Sequence, residues 1–323
     1  MKRAAFLALP LPLLALQYDP ATTADAPALR VLLGRGNAID AGNGTFVFNG
    51  KSYRGSFSRE ADGSIVNTVD IEQYLYSVVT REMSSSWPPA ALQAQAICAR
   101  TYVLQRSNPR RPYDLVPSEA DQVYGGISAE SAASRVAVDA SAGQVLTYGD
   151  TFAQVMYSSC CGGHTEASSD AWGGAPIPYL GGVACPYCSA SPNYRWQREL
   201  TLAQVADVFT SELARYGVLS SVRVDATDPS GRARAVELVA QRGSAFVKGS
   251  VFRERIGPRV LPSLLITKLE PSPEAPDRIV IEGGGLGHGV GLCQWGARGM
   301  ALEGAQSSEI LKFYFPGTMI GHE

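Results

Sequence analysis

The sequence predicts an α+β fold. Strand-like runs and helical stretches are mixed along the chain without a regular βαβ rhythm. Asn49-Gly50 sits between Thr45-Phe46-Val47-Phe48 and Lys51-Ser52-Tyr53, the strongest short signal for a hairpin. The chain has 323 residues, 45% hydrophobic and 18% charged, which is enough to bury a core without staples and excludes disorder for most of it.

Taken in order, Met1-Lys2-Arg3 and the apolar run to Leu16 read as an export signal or an uncleaved N-terminal anchor, with a polar linker closing the segment 1–28. The apolar run is short and interrupted by Pro10 and Pro12, which disfavours a full membrane span. The folded part is expected in the cell envelope, periplasmic or extracellular. A small β region follows over 29–69, with strands at Leu29–Leu33, the hairpin, and Ser64–Val69. Over 70–108 the reading turns helical. Tyr74, Leu75, Val78, Val79 and Glu82 recur at helical spacing from Asp70 onward. The Ser84-Ser85-Ser86-Trp87-Pro88-Pro89 run breaks that helix, and the prolines open a second one with an alanine-rich stripe. In the remainder, 109–320, Cys160–Pro192 reads as a long structured loop. Leu202–Tyr216 reads as a helix, strands fall near Val222, Ala235 and Ile279, and Ser307–Tyr314 forms a last short helix.

Composition removes several function classes. A net charge of −2 argues against a general nucleic-acid binder. The 3 histidines limit any triad. No G-x-S-x-G elbow is present, and no Lys follows the glycines near residue 290 as a phosphate loop requires. Cys160 or Cys161 with His164 is too local a spacing for a nucleophile and its base.

Three clusters carry the chemistry. The first spans Tyr74–Met83, Trp87–Ala96 and Ala99–Tyr102. The second runs Tyr157-Ser158-Ser159-Cys160-Cys161-Gly162-Gly163-His164-Thr165-Glu166. The third is Gly285-Leu286-Gly287-His288-Gly289-Val290-Gly291-Leu292-Cys293-Gln294-Trp295-Gly296-Ala297. In this order, with Ser230-Gly231-Arg232 and Phe252-Arg253 between, the chain resembles the SpoIID/LytB family over roughly residues 29 to 318. The resemblance implies a SpoIID-like catalytic domain over 29–320, with mixed sheets and packed helices around a glycan-binding groove. It implies a lytic transglycosylase that cuts the MurNAc-GlcNAc bond of peptidoglycan to a 1,6-anhydro end, the acid falling on Glu82. It equally allows a non-catalytic, wall-binding amidase enhancer, so the implied partners are peptidoglycan glycan strands and a cell-wall amidase.

The residues make a separate case for Glu82. Glycosidic cleavage needs an acid for the leaving oxygen. A carboxyl where a helix runs out feels the negative end of the dipole, which favours the protonated form. The competing reading is a solvated helix-end residue, or a partner of Arg81 or Arg100. In the third cluster, glycines allow close backbone approach, with His288 and Gln294 orienting glycan hydroxyls and Trp295 stacking on a sugar; the alternative is that they only make turns. Ser159, His164 and Thr165 are expected to shape the same groove. A C-x-x-C pair with Cys and His elsewhere can close a zinc site. The resemblance, whose members include zinc-bearing enzymes, points to Cys161, His164, Cys185 and Cys188. Disulfides are the alternative, for example from Cys160 or Cys161 to one of Cys185 and Cys188. Cys98 and Cys293 are expected as small buried hydrophobes or as a pair.

Overall fold

The computed structural model describes residues 28–118 and 120–322. The expected export segment therefore lies outside the described residues but for Ala28. Mixed helices and small antiparallel sheets make the α+β fold that the sequence predicts. Among the described residues, no helix is long and apolar enough to cross a membrane.

Strand Ser64–Asp70 is the centre of the first sheet, paired on one side with Ala28–Arg35 and on the other with Ser56–Arg59. The hairpin forms as expected, Thr45–Phe48 against Lys51–Arg54, with Asn49 and Gly50 both at positive φ (46° and 78°). That is the conformation an Asn-Gly turn of this twist demands. Asp70 then caps helix α1 (Ile71–Glu82), its Oδ1 accepting from the Gln73 N–H at 3.0 Å. The face carrying Ile71, Tyr74, Leu75, Val78 and Val79 is buried. Pro89 opens helix α2 (Pro89–Arg106) at its first position, where a missing N–H costs nothing. The alanines of α2 let it sit closely among its neighbours, and Ala91 through Val103 are buried but for Gln93.

Helix α3 (Ala132–Asp139) packs on α1 and α2 and is closed by a Ser131/Ser134 capping box. Helix α4 (Ser168–Trp172) forms within the expected Cys160–Pro192 loop. Where a single helix over Leu202–Tyr216 is expected, two pieces form, α5 (Leu202–Val208) and α6 (Thr210–Leu213). Phe209 leaves helical geometry (φ −120°, ψ 27°) between them and stacks on Phe252 at 5.6 Å and 8°. Burial of that ring outweighs the continuity of the helix. Phe252 lies on α7 (Gly249–Ile256). Helices α8 (Gln294–Leu302) and α9 (Ser307–Tyr314) close the fold, and α9 matches its expected span.

Buried side chains gather in two cores. One surrounds α1 and α2 and takes in the cysteine loop, α8 and α9. The other, from Trp196 to Ile281, is built on the sheets formed by Leu219–Thr227, Ala233–Ala240 and Gly243–Lys248, and by Trp196–Thr201, Arg278–Gly284 and Leu265–Pro271. The third sequence cluster begins as this second core ends and re-enters the first, so it joins the two.

Candidate functional site

Glu82 is the last residue of α1. The chain must turn there because Met83 is pulled into the core, 2% exposed, with its N–H still closing on the Val79 carbonyl at 2.9 Å. The Glu82 carboxyl is half-buried. Gln294, first residue of α8, donates from Nε2 to Glu82 Oε2 at 3.2 Å and to Gln95 Oε1 at 3.4 Å. Three elements distant in sequence therefore meet at this carboxyl: the end of α1, the face of α2 and the start of α8. Arg100, the sequence rival for a Glu82 partner, is fully buried and committed to Glu72, with Nε at 2.7 Å from Oε1.

Tyrosines complete the surroundings. Burial, with the Glu82 charge adding to it, holds the phenols of Tyr157 and Tyr74 well above the usual range, so both stay protonated. Neither hydroxyl has a hydrogen-bond partner among the described residues, and Gln95 Nε2 is likewise unpartnered. These are donors left over in a buried site, a pattern that usually marks a place for a ligand or water. The reading of the sequence assigned them no role. The signal was there in Gln95, a polar side chain inside an alanine stripe.

Trp295 follows Gln294 and meets Trp87 edge to face, centroids 5.0 Å apart. So Gln294 joins Glu82 on one side, and Trp295 next to it meets Trp87. The other expected groove residues are placed differently. Ser159 presents its carbonyl to the Trp295 N–H at 3.0 Å. The buried Thr165 hydroxyl accepts from the Val183 N–H at 2.7 Å, so it is spent on the backbone. His288 is partly buried, its ring 5.1 Å from Trp172, and Nδ1 accepts from the Val290 N–H at 3.0 Å. Loss of hydration lowers its pKa to about 4, so it is neutral at pH 7.

The glycines of the third cluster serve packing. The N–H groups of Gly285 and Gly287 donate to Asn193 and Pro262 carbonyls, at 2.8 and 3.1 Å. Gly289 is at φ 79°, and a Cβ there would run into the Arg232 guanidinium. This favours the turn-making reading for those positions over direct donation to a sugar.

A second polar centre lies behind. Arg232 is 1% exposed, donates to the carbonyls of Cys161 (2.7 Å) and His164 (2.9 Å), and approaches Glu166 Oε2 at 3.4 Å. The Asp228 carboxyl accepts from the Arg232 backbone N–H at 3.1 Å and stands beside Glu166. Burial above all, with the neighbouring Asp228 carboxyl adding to it and Arg232 opposing, raises Glu166 to about 8.

Four cysteines form a candidate metal centre. The Sγ atoms of Cys161, Cys185, Cys188 and Cys293 lie within 4.8 Å of one another and are buried. The expected set is corrected here: Cys293 takes the place of His164, whose Nδ1 lies 2.6 Å from the Thr165 carbonyl oxygen. Cys98 and Cys293 are both buried in the first core, as expected, and are not paired with each other. All six cysteines are free, and Cys161 and Cys188 sulfurs are 3.6 Å apart, far beyond a disulfide bond. A tetrahedral zinc–thiolate centre needs sulfurs about 3.8 Å apart, given Zn–S bonds of about 2.3 Å. The cluster fits that size. Backbone N–H groups of Cys161 (3.2 Å) and Gly296 (3.4 Å) point at Cys293 Sγ, as donors do toward a thiolate. Protons within the cluster are shared unequally. Neighbouring thiols act as donors to Cys185 and Cys188, Cys161 foremost for the first and Cys160 for the second, which draws both down.

The fold and this constellation define an α+β protein whose helix-end carboxyl is bridged to a glycine-rich C-terminal motif. The family model described as Stage II sporulation protein matches residues 59–148, which include α1 and α2, and one described as a domain of unknown function (DUF8618) matches residues 188–291. The chain is 37% identical over 286 residues to an uncharacterised protein of Brachyspira hyodysenteriae, covering 85% of this chain and 74% of that one. It is 30% identical over 284 residues to Stage II sporulation protein D of Bacillus subtilis, covering 81% and 77%. An amidase enhancer of Bacillus subtilis is 30% identical over 294 residues, covering 76% of this chain and 40% of that protein. The chain belongs to the SpoIID family.

Proposed function

We propose that this protein is an exported peptidoglycan lytic transglycosylase of the cell envelope, with Glu82 as its only acid and base. The observation that carries the reading is the Gln294 to Glu82 hydrogen bond at 3.2 Å, which ties the helix-end carboxyl to the glycine-rich motif beside a half-buried tryptophan pair. In its protonated form Glu82 gives its proton to the oxygen bridging MurNAc C1 and the next GlcNAc, and the C1–O bond breaks. The 6-hydroxyl of the same MurNAc then closes on C1 and returns its proton to the Glu82 carboxylate. No water is consumed, so one carboxyl suffices where a hydrolase needs two. Gln294 fixes the carboxyl's rotamer, and the protonated Tyr74 and Tyr157 supply neutral donors that add no competing charge. The groove that would hold the strand is part of this proposal.

Zinc at the four thiolates would be structural, because four protein ligands leave no open position. It would fasten Cys161, Cys185 and Cys188 to Cys293, the residue before Gln294. The second reading, an amidase enhancer, is favoured by the likeness to the protein of that name.

The test is digestion of purified sacculi, intact and amidase-treated, with product analysis by mass spectrometry. Wild type is expected to release 1,6-anhydro ends, and Glu82→Gln to release none while still binding glycan. If wild type releases none but stimulates a wall amidase, the enhancer reading replaces this one.

A further inference from the structure

The edge-to-face pair Trp87 and Trp295 carries a cation. Arg298, one turn along α8 from Trp295, places its guanidinium 5.2 Å from the Trp295 centroid and 5.9 Å from that of Trp87. Among the described residues it makes no ion pair and no hydrogen bond. Most other arginines of this chain are committed: Arg30 to Asp114, Arg54 to Glu130, Arg100 to Glu72, Arg232 to Glu166. Two tryptophans orient Arg298 and screen one of its faces, yet leave its five N–H donors unspent. Trp295 is one residue from Gln294, which touches Glu82, and Trp87 is five residues beyond Glu82. A guanidinium so held is built to take a planar anion by two parallel N–H···O bonds.

We propose that Trp87, Trp295 and Arg298 form a subsite that reads a carboxylate of the glycan strand, with the indoles covering sugar faces and Arg298 gripping the acid. This rests on the reading of the protein as a peptidoglycan enzyme and adds the basis of its choice among glycans. The carboxylate has two sources in peptidoglycan: the lactyl group of a MurNAc without its peptide, or the acids of an attached stem peptide.

Binding is measured with three probes: GlcNAc oligomers without carboxylates, glycan strands stripped of peptide, and strands carrying peptide. The variants are Arg298→Gln and Arg298→Lys in the Glu82→Gln background, so that no probe is consumed. Arg298→Gln is expected to weaken at least one acidic probe by about tenfold, the usual weight of a hydrogen-bonded charge. Binding of the neutral oligomers should stay unchanged, and Arg298→Lys should recover only part of the loss. Loss on stripped strands alone supports the subsite and assigns the lactyl group; loss on peptide-bearing strands alone supports it and assigns the stem. Equal loss on all three probes, neutral oligomers included, would mean that Arg298 merely props the tryptophans, and would overturn the proposal. So would no loss on any. Failure of the Arg298-intact protein to bind any of the three strikes the functional reading itself, a different outcome from either.

Discussion

Gln294 is the residue on which the site turns. It is 5% exposed, and its one amide nitrogen serves both Glu82 and Gln95. Removing a buried partner of a charged group costs about 1–3 kcal/mol, which as a transition-state effect is about 10- to 100-fold. Gln294→Ala should therefore lower kcat by that factor with little change in glycan affinity. A drop in affinity alone would assign Gln294 to binding. Gln294→Glu should fall at least as low, because a second carboxylate would raise the cost of the Glu82 anion that forms when the proton is handed to the leaving oxygen. Glu82 as a candidate could be read from the sequence because a helix pattern ended there against a serine-proline break. Gln294 as a candidate could be read too. Their contact could not, since it joins residues 212 apart and depends on how α8 docks.

Element by element, legibility follows whether local chemistry decides the structure. The Asn49-Gly50 hairpin, the Asp70-capped α1, the proline-opened α2 and the span of α9 are all fixed by their own residues. The break at Phe209 is not local, since it depends on Phe252 in another helix. The cysteine centre shows the same divide. A Cys-x-x-Cys pair announced itself, but the fourth thiol had to come from Cys293, 105 residues beyond Cys188. His164 satisfied the spacing, and its position in the fold does not serve it. Cys293 Sγ also receives the Gly296 N–H at the head of α8, so it caps the helix that carries Gln294. Metal analysis of the purified protein is expected to give one zinc per chain. Cys293→Ser should lose it, lower the melting temperature, and depress activity through displacement of α8. Chelation of wild type should reproduce that loss, and full activity in metal-stripped protein would refute the structural role.

At the scale of the molecule, Arg232 bolts the second core to the first. It leaves the turn after Leu219–Thr227, and both cluster-two carbonyls it binds belong to the other core. Arg232→Ala leaves the Cys161 and His164 carbonyls and Glu166 without their buried donor and should cost about 1–3 kcal/mol for each group left unpaired, read by denaturant unfolding. The same centre sets a pH dependence. Glu166 is held at about 8 against an ordinary 4.5, so folding favours its protonated form. Its contribution is fully present below about 4.5 and is lost as pH rises through about 8. His288, lowered to about 4, works the other way, its contribution being lost as pH falls from 6.5 toward 4. Between pH 6.5 and 8.5 Glu166 can be isolated. Wild type should lose stability there relative to Glu166→Gln, and parallel curves for the two proteins would reject the assignment.

The central claim is that bond cleavage here needs one carboxyl and no water. Digesting glycan strands in water labelled with heavy oxygen tests it most directly. The expected products end in anhydro sugars, lighter by one water than hydrolytic ends, free of label, and absent with Glu82→Gln. Labelled reducing ends, or the same products from Glu82→Gln, would contradict it.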